Sequence, residues 1–236
     1  MKKQRFLLFS LLLIAFSTFF ISCKKHSSPS VQCRIIDIKT NDSLIPEIQL
    51  DYNSNKKLSV ITYRSKSNYA RRILNYNTNF ISVTLVDSSG KAYQLDTVNL
   101  NKDGLASSIV YYVPANGLFS YDSMTYDSKG QLIRWAETSA GRTDIVTYTW
   151  DNGDLVTSTS RGATTTIQYY NDKTATDGDY LRIIYLTEWG IPLYKSKHLF
   201  KGSGGSVYSY TFDSGGKITS VLLNGVVVYS YTYACD

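Results

Sequence analysis

Apolar and polar residues alternate in short runs along most of the chain. Tyr208, Tyr210 and Phe212 share one face of such a run, while Val207, Ser209 and Thr211 share the other. Val227, Tyr229, Tyr231 and Tyr233 repeat the aromatic face near the C-terminus, opposite Val226, Val228, Ser230 and Thr232. Val146, Tyr148 and Trp150 do so in the middle. Successive side chains of a strand point to opposite sides, so this alternation predicts strands with one buried face. No segment carries a long helical period, and the chain is expected to be all-β. The least strand-like stretch runs from Glu188 to Lys201 and contains Pro192. It is expected to be a long crossing loop with at most one helical turn.

A recurring string joins the runs. Tyr126-Asp127-Ser128-Lys129-Gly130-Gln131 leads into Leu132, and Phe212-Asp213-Ser214-Gly215-Gly216-Lys217 leads into Ile218. Looser copies start at Leu50, Val86, Asn101 and Trp150. An Asp side chain accepts a hydrogen bond from the backbone two residues on, which starts a turn. Gly takes the positive φ that closes it. The string is therefore a hairpin joint, and its Asp residues are turn formers rather than metal ligands. Asn224-Gly225 has the form of a two-residue hairpin turn. Gly202 to Ser206 reads as a flexible linker between strands. Units of roughly 20 to 25 residues follow one another as an array. The expected architecture is a single antiparallel domain over 33–236, a curved sheet or barrel-like body of hairpin repeats.

The N-terminus is basic, with Lys2, Lys3 and Arg5 before an apolar run from Phe6 to Ile21. That is the form of an export signal, and its core is shorter than the ~20 apolar residues of a membrane-spanning helix. The run ends in Phe20-Ile21-Ser22-Cys23, which resembles the lipobox of bacterial lipoproteins, with Phe20 where Leu is usual. The resemblance implies a signal peptide over 1–22 and acylation of Cys23. Residues 23–32 are then a Ser-rich flexible tether.

The formal net charge is +6. Loss of the signal leaves 6 − 3 = +3, and setting aside Lys24 and Lys25 of the tether leaves 3 − 2 = +1 for the body. A nearly neutral body is a poor partner for nucleic acid, which needs a basic patch on the folded surface. Two further cysteines, Cys33 and Cys235, stand at the extremes of the body. Export permits a disulfide between them. They are either bonded, which needs Cα atoms within about 7 Å, or two free thiols near the ends.

Candidate chemistry is sparse. His26 lies in the tether and His198 stands alone, with no serine elbow to make it part of a triad. The three glutamates, Glu47, Glu137 and Glu188, carry no mark of a catalytic pair. Asp172, Asp177 and Asp179 come nearest to a calcium loop but lack its spacing. No metal and no cofactor are expected. The chain is rich in tyrosine, with 20 residues, and has three tryptophans. Cross-strand aromatic pairing accounts for most of them. Trp135, Trp189 and Tyr194 sit at strand ends or in the long loop and are the candidate ligand-binding aromatics.

The turn string is similar to the tyrosine-aspartate repeats of Rhs-type proteins. From Ile35 to Tyr233 the chain resembles a family of lipoproteins from Bacteroides-type bacteria, a domain of unknown function with a porin-like fold. "WGIPLYKSKHLF" and "YSYTFDSGGKITSVLLNGVVVYSYTY" carry that resemblance most closely. It implies a barrel-like sheet and no catalytic residues. An outer-membrane barrel needs a continuous outward apolar band, and the strand faces opposite the tyrosines mix Val with Ser and Thr. A membrane-spanning pore is therefore not expected. The function expected is that of a lipid-anchored envelope protein of the outer membrane. Its role is binding or scaffolding, with glycan, peptidoglycan or an envelope protein as partner. Lys24-Lys25 after Cys23 favours the periplasmic face, because surface-exported lipoproteins resemble one another in acidic residues there. The alternative is a glycan hydrolase using an unmarked carboxylate pair.

Overall fold

The computed structural model describes residues 32–45, 47–65 and 69–236. The signal segment, Cys23 and the tether up to residue 31 lie outside the described residues. The body is Cys33–Cys235. Its first half holds β1 (Cys33–Thr40), β2 (Glu47–Tyr52), β3 (Leu58–Arg64), β4 (Tyr69–Tyr76), β5 (Phe80–Val86), β6 (Ala92–Leu100), β7 (Ala106–Val113) and β8 (Gly117–Tyr126). There follow β9 (Leu132–Ser139), β10 (Arg142–Asp151), β11 (Asp154–Ser160) and β12 (Ala163–Thr174). A helix, α1 (Tyr180–Trp189), comes next, then β13 (His198–Ser203), β14 (Ser206–Phe212), β15 (Ile218–Leu223) and β16 (Val226–Cys235).

Every strand pairs antiparallel with its sequence neighbours, and β1 pairs with β16 to close a barrel. Up-and-down order places the even-to-odd connections at one end, together with Cys33 and Cys235. We call this the terminal end and the other the far end. Cys33 and Cys235 face each other in register across the closing seam and are disulfide-bonded, with Cα atoms 4.0 Å apart.

The joints are alike in detail. At Asp87, Asn101, Asp127 and Asp213 the side-chain oxygen accepts from the backbone N–H groups two and four residues on, at 2.8–3.0 Å. Asn53 does the same, with Lys56 in the left-handed conformation that Gly takes elsewhere. Each joint carries a one-residue register shift, as at Tyr126↔Leu132. At four of the five joints that bulge turns the returning apolar residue inward, and Leu58, Ala106, Leu132 and Ile218 are buried, while Ala92 after the Asp87 joint is exposed. The Trp150 copy departs from the rule: Asn152-Gly153 forms a two-residue turn with both φ positive.

The inner face carries the apolar half of the alternation, with Ile61, Ile81, Val83, Val98, Ile109 and Val221 fully buried. Tyr208, Tyr210, Tyr229 and Tyr231 belong to the core or pack against it. Phe212 and Val227 do not share that face and are exposed, because register shifts fall beside them. The outer face mixes polar residues with exposed apolar and aromatic ones, among them Leu95, Tyr112, Tyr121, Ile133 and Ile145. Threonine pairs bridge neighbouring strands at Thr138–Thr143, Thr149–Thr157, Thr159–Thr164 and Thr211–Thr219. Lys39, Glu47 and Arg64 line up across β1, β2 and β3.

The crossing segment differs from the sequence expectation. The helix lies earlier than the stretch from Glu188 to Lys201, and His198–Ser203 is a strand rather than loop. Gly202 and Ser203 end β13, Ser206 begins β14, and Gly204-Gly205 is a tight turn, not a linker. The helix was illegible because it is enclosed. An enclosed helix is apolar on all sides, and the one-sided pattern that marks a surface helix is lost.

Candidate functional site

Residues 175–197 leave β12 at the terminal end, cross the barrel interior and return to β13 at the same end. At the helix start Asp179 caps Leu181 N, and its other oxygen accepts from Phe200 N, both at 2.9 Å. Tyr180 packs on Tyr208, with ring centroids 4.1 Å apart, and near Phe200 and Tyr229. The helix end lies against the opposite wall. Its unpaired carbonyls are taken up by side chains there. Tyr63 Oη donates to Thr187 O at 2.7 Å, Arg72 donates to Thr187 O and Glu188 O, and Tyr76 Oη donates to Gly190 O. Gly190 ends the helix at φ 75°. A Cβ there would overlap Leu74 and sit 2.7 Å from the Tyr76 hydroxyl.

The three aromatics singled out from sequence come together, but in the interior. Trp189 is 3% and Tyr194 6% exposed, and Trp135 packs against the core. Trp135 meets Trp189 edge-on at 5.5 Å, Tyr185 stacks on Trp189 at 5.4 Å, and Tyr194 contacts Tyr185 and Tyr148. They fasten the plug to β9 and β10 and offer no exposed stacking surface. Position in a loop or at a strand end suggested exposure, and the loop turns inward. The exposed tyrosines are others, including Tyr112 and Tyr121 on the outer wall.

Carboxylates are buried nearby. Asp96 is 5% and Asp122 2% exposed. Burial pushes each carboxyl up to about 6, opposed by the Gln94 amide for Asp96 and by the Tyr111 hydroxyl for Asp122. Tyr111 Oη donates to Asp122 Oδ2 at 3.0 Å, while Asp122 Oδ1 and Trp135 Nε1 are buried without hydrogen-bond partners. Glu188 is likewise raised by burial and lies within electrostatic reach of both. None of these carboxylates lines a described cavity. Glu47 sits on the outer wall beside Arg64. His198 Nδ1 lies 2.6 Å from Asp154 Oδ2, and Asp154 Oδ1 accepts from His198 N, so the pair fixes the start of β13. Among the described residues no acidic, histidine and cysteine group forms a metal site.

The open space is elsewhere. A cavity of about 980 Å³ opens at the terminal end, between the joints after β6 and β8, the Asn152-Gly153 turn and the returning strap. Met124, Tyr126 and Trp150 give it an apolar and aromatic lining. Trp150 is fixed by its Nε1, which donates to Leu132 O at 2.7 Å. The strap alternates: Leu193, Tyr194 and Ser196 are buried, and Lys195 and Lys197 are exposed. Tyr194 Oη donates to Tyr148 Oη at 3.0 Å, and Ser196 Oγ lies 2.9 Å from Tyr169 Oη, which directs the two lysines to the cavity side. Lys197 N donates to Gly153 O at 3.0 Å, and Gly153, at φ 92°, lets the strap approach the turn. Sequence reading missed this site. Its only trace is the Tyr-Lys-Ser-Lys alternation of 194–197.

No family model matches the chain, and no curated protein matches it. Among solved structures the fold is similar to that of a porin-like protein from Bacteroides uniformis. The TM-score is 0.58 at 15% identity, over 86% of this chain and 96% of that one. A structure of TcdB2-TccC3-Cdc42 overlaps at a TM-score of 0.33 and 17% identity, over 74% of this chain and 11% of that one, too loosely to bear on the fold. The first likeness establishes the all-β porin-like barrel.

Proposed function

We propose that this chain is a non-enzymatic binding lipoprotein of the outer membrane, anchored through Cys23 and facing the periplasm, which takes a ligand in the cavity at its terminal end. The observation that carries the reading is that cavity, of about 980 Å³, held open by fixed groups. Its size is within the range of small-molecule sites, and its lining combines apolar surface with convergent polar groups. Threonine pairs and charged residues interrupt the apolar positions of the outer wall, and this supports a water-facing barrel, because a spanning barrel presents lipid with a continuous apolar band about 25 Å tall. The plug supports binding over conduction. A glycan or peptidoglycan fragment fits such a mouth. The hydrolase alternative gains little from Asp96 and Asp122, since no described cavity brings substrate to them.

Thermal melting against glycans, peptidoglycan fragments and divalent cations tests the reading. A ligand at 100 times its Kd adds about 2.7 kcal/mol, a rise of roughly 5 to 10 °C for a chain this long. Trp150→Ala is expected to abolish the rise, and a flat panel would exclude a small-molecule ligand. Anchoring has its own check: Cys23→Ser is expected to release the protein from membranes.

A further inference from the structure

Four ammonium groups line the cavity. Lys102 comes from the joint after β6, Lys129 from the joint after β8, and Lys195 and Lys197 from the strap. Three separate segments thus bring cations to one space. None of the four has an ion-pair or ring partner among the described residues. Four other lysines of the body do: Lys217 pairs with Asp213, and Lys57, Lys173 and Lys201 lie over aromatic rings. The acidic residues in the lining are Asp103 and Asp127, so its formal charge is 4 − 2 = +2. Asp127 is already committed to its joint through Oδ1. Trp150 and Tyr126 line the same cavity.

Unpaired lysines held near one another repel, and an anion between them relieves the repulsion. Ammonium groups are strong donors to carboxylate and phosphate, and aromatic faces suit the apolar side of a sugar ring. We propose that the cavity is a receptor site for an anionic saccharide, one bearing carboxylate or phosphate groups. This rests on the binding role proposed above and names the ligand class of the same cavity.

The test uses the full chain in a nonionic detergent and calorimetric titration with matched probes. Trigalacturonic acid is compared with its neutral methyl ester, and N-acetylglucosamine 6-phosphate with N-acetylglucosamine. At least one anionic probe is expected to bind at least tenfold more tightly than its neutral partner, and the advantage is expected to shrink as salt is raised. The double variant Lys195→Gln/Lys197→Gln is expected to lose at least tenfold in affinity for that probe while melting as the parent does. Lys102→Gln/Lys129→Gln supplies a second, independent pair. Equal binding of charged and neutral probes would overturn the anionic assignment and leave the binding role standing. Anionic binding that survives both double variants would place the ligand elsewhere and overturn the site. Binding of none of the four probes would overturn the assignment, and a flat response to the wider glycan and peptidoglycan panel as well would remove the binding role too.

Discussion

The interior of this barrel has two parts that are finished differently. Against β3, β4 and β13 to β16 the plug is sealed by aromatic contacts and by side chains that cap the helix carbonyls. Beneath the joints after β6 and β8 the strap stands off, and the wall keeps an open, cationic mouth. In the sealed part Tyr63, Arg72 and Tyr76 spend their donors on the backbone of the plug. In the open part four lysines have no ion-pair or ring partner among the described residues. Stability is concentrated where polar groups are matched, and binding capacity lies where they are left unmatched. One segment, 175–197, serves both.

The comparison breaks if the sealed part proves dispensable. Trp189→Ala removes a side chain that is 3% exposed and holds both Trp135 and Tyr185. The expected loss is about 3–5 kcal/mol, a fall of roughly 6 to 20 °C in melting temperature. A variant that melts like the parent would show that the plug is not part of the core. Next in size is the seam. The bond between Cys33 and Cys235 spans 202 residues of sequence. Replacing both with Ser is expected to cost about 2–4 kcal/mol in urea unfolding. The β1–β16 hydrogen bonds should still close the barrel, so the circular dichroism spectrum is expected to be unchanged.

Much of the sealed architecture could be read from sequence, and the open site could not. Alternation reports a strand whose two sides meet different solvents, as in Tyr208–Ser209–Tyr210. The Asp-x-x-Gly joints report turns because their geometry is local: Asp127 reaches only to Gln131. Closure of β1 on β16 is a long-range register with no local signal except a cysteine at each end. The plug helix hides because Ile183, Tyr185, Leu186 and Trp189 all belong to the core or pack against it, whichever way they point. The cavity hides for another reason. Lys102, Lys129 and Lys195 are unremarkable surface lysines until the topology sets them side by side.

The pH dependence sharpens the contrast at a smaller scale. Asp96 on β6 and Asp122 on β8 are raised from 3.8 to about 6 by burial in the barrel interior. The native state therefore holds protons that the unfolded chain has released. Stability from these groups is fully present below about pH 4, is lost as pH rises towards 6, and is level above that. Asp122→Asn keeps an oxygen to accept from Tyr111 and removes the charge. It is expected to gain up to about 3 kcal/mol at pH 7 and to flatten the slope between pH 4 and 6. Urea unfolding at pH 4.5, 5.5 and 7 reads this directly. A slope unchanged in both Asp122→Asn and Asp96→Asn would place the titrating groups elsewhere.

The smallest effect concerns the joints that frame the open mouth. Asp127 Oδ1 accepts from Lys129 N at 2.9 Å and from Gln131 N at 2.8 Å. Both N–H groups are near water, so Asp127→Ala is expected to cost only about 0.5–1 kcal/mol. Asp127→Asn is expected to be close to neutral. The barrel already makes this joint with an amide oxygen at Asn53 and Asn101, in the same geometry. A metal-binding joint would behave otherwise, since loss of the carboxylate charge would weaken it sharply and calcium would raise the melting temperature of the parent. Near-identical melting of parent and Asp127→Asn, with and without calcium, is the outcome that a purely conformational joint requires. Through the rim, the same substitution reads the mouth. If Asp127 serves only to shape the turn that carries Lys129, then Asp127→Asn should bind an anionic probe at least as well as the parent, because the joint persists and one negative charge has left the lining.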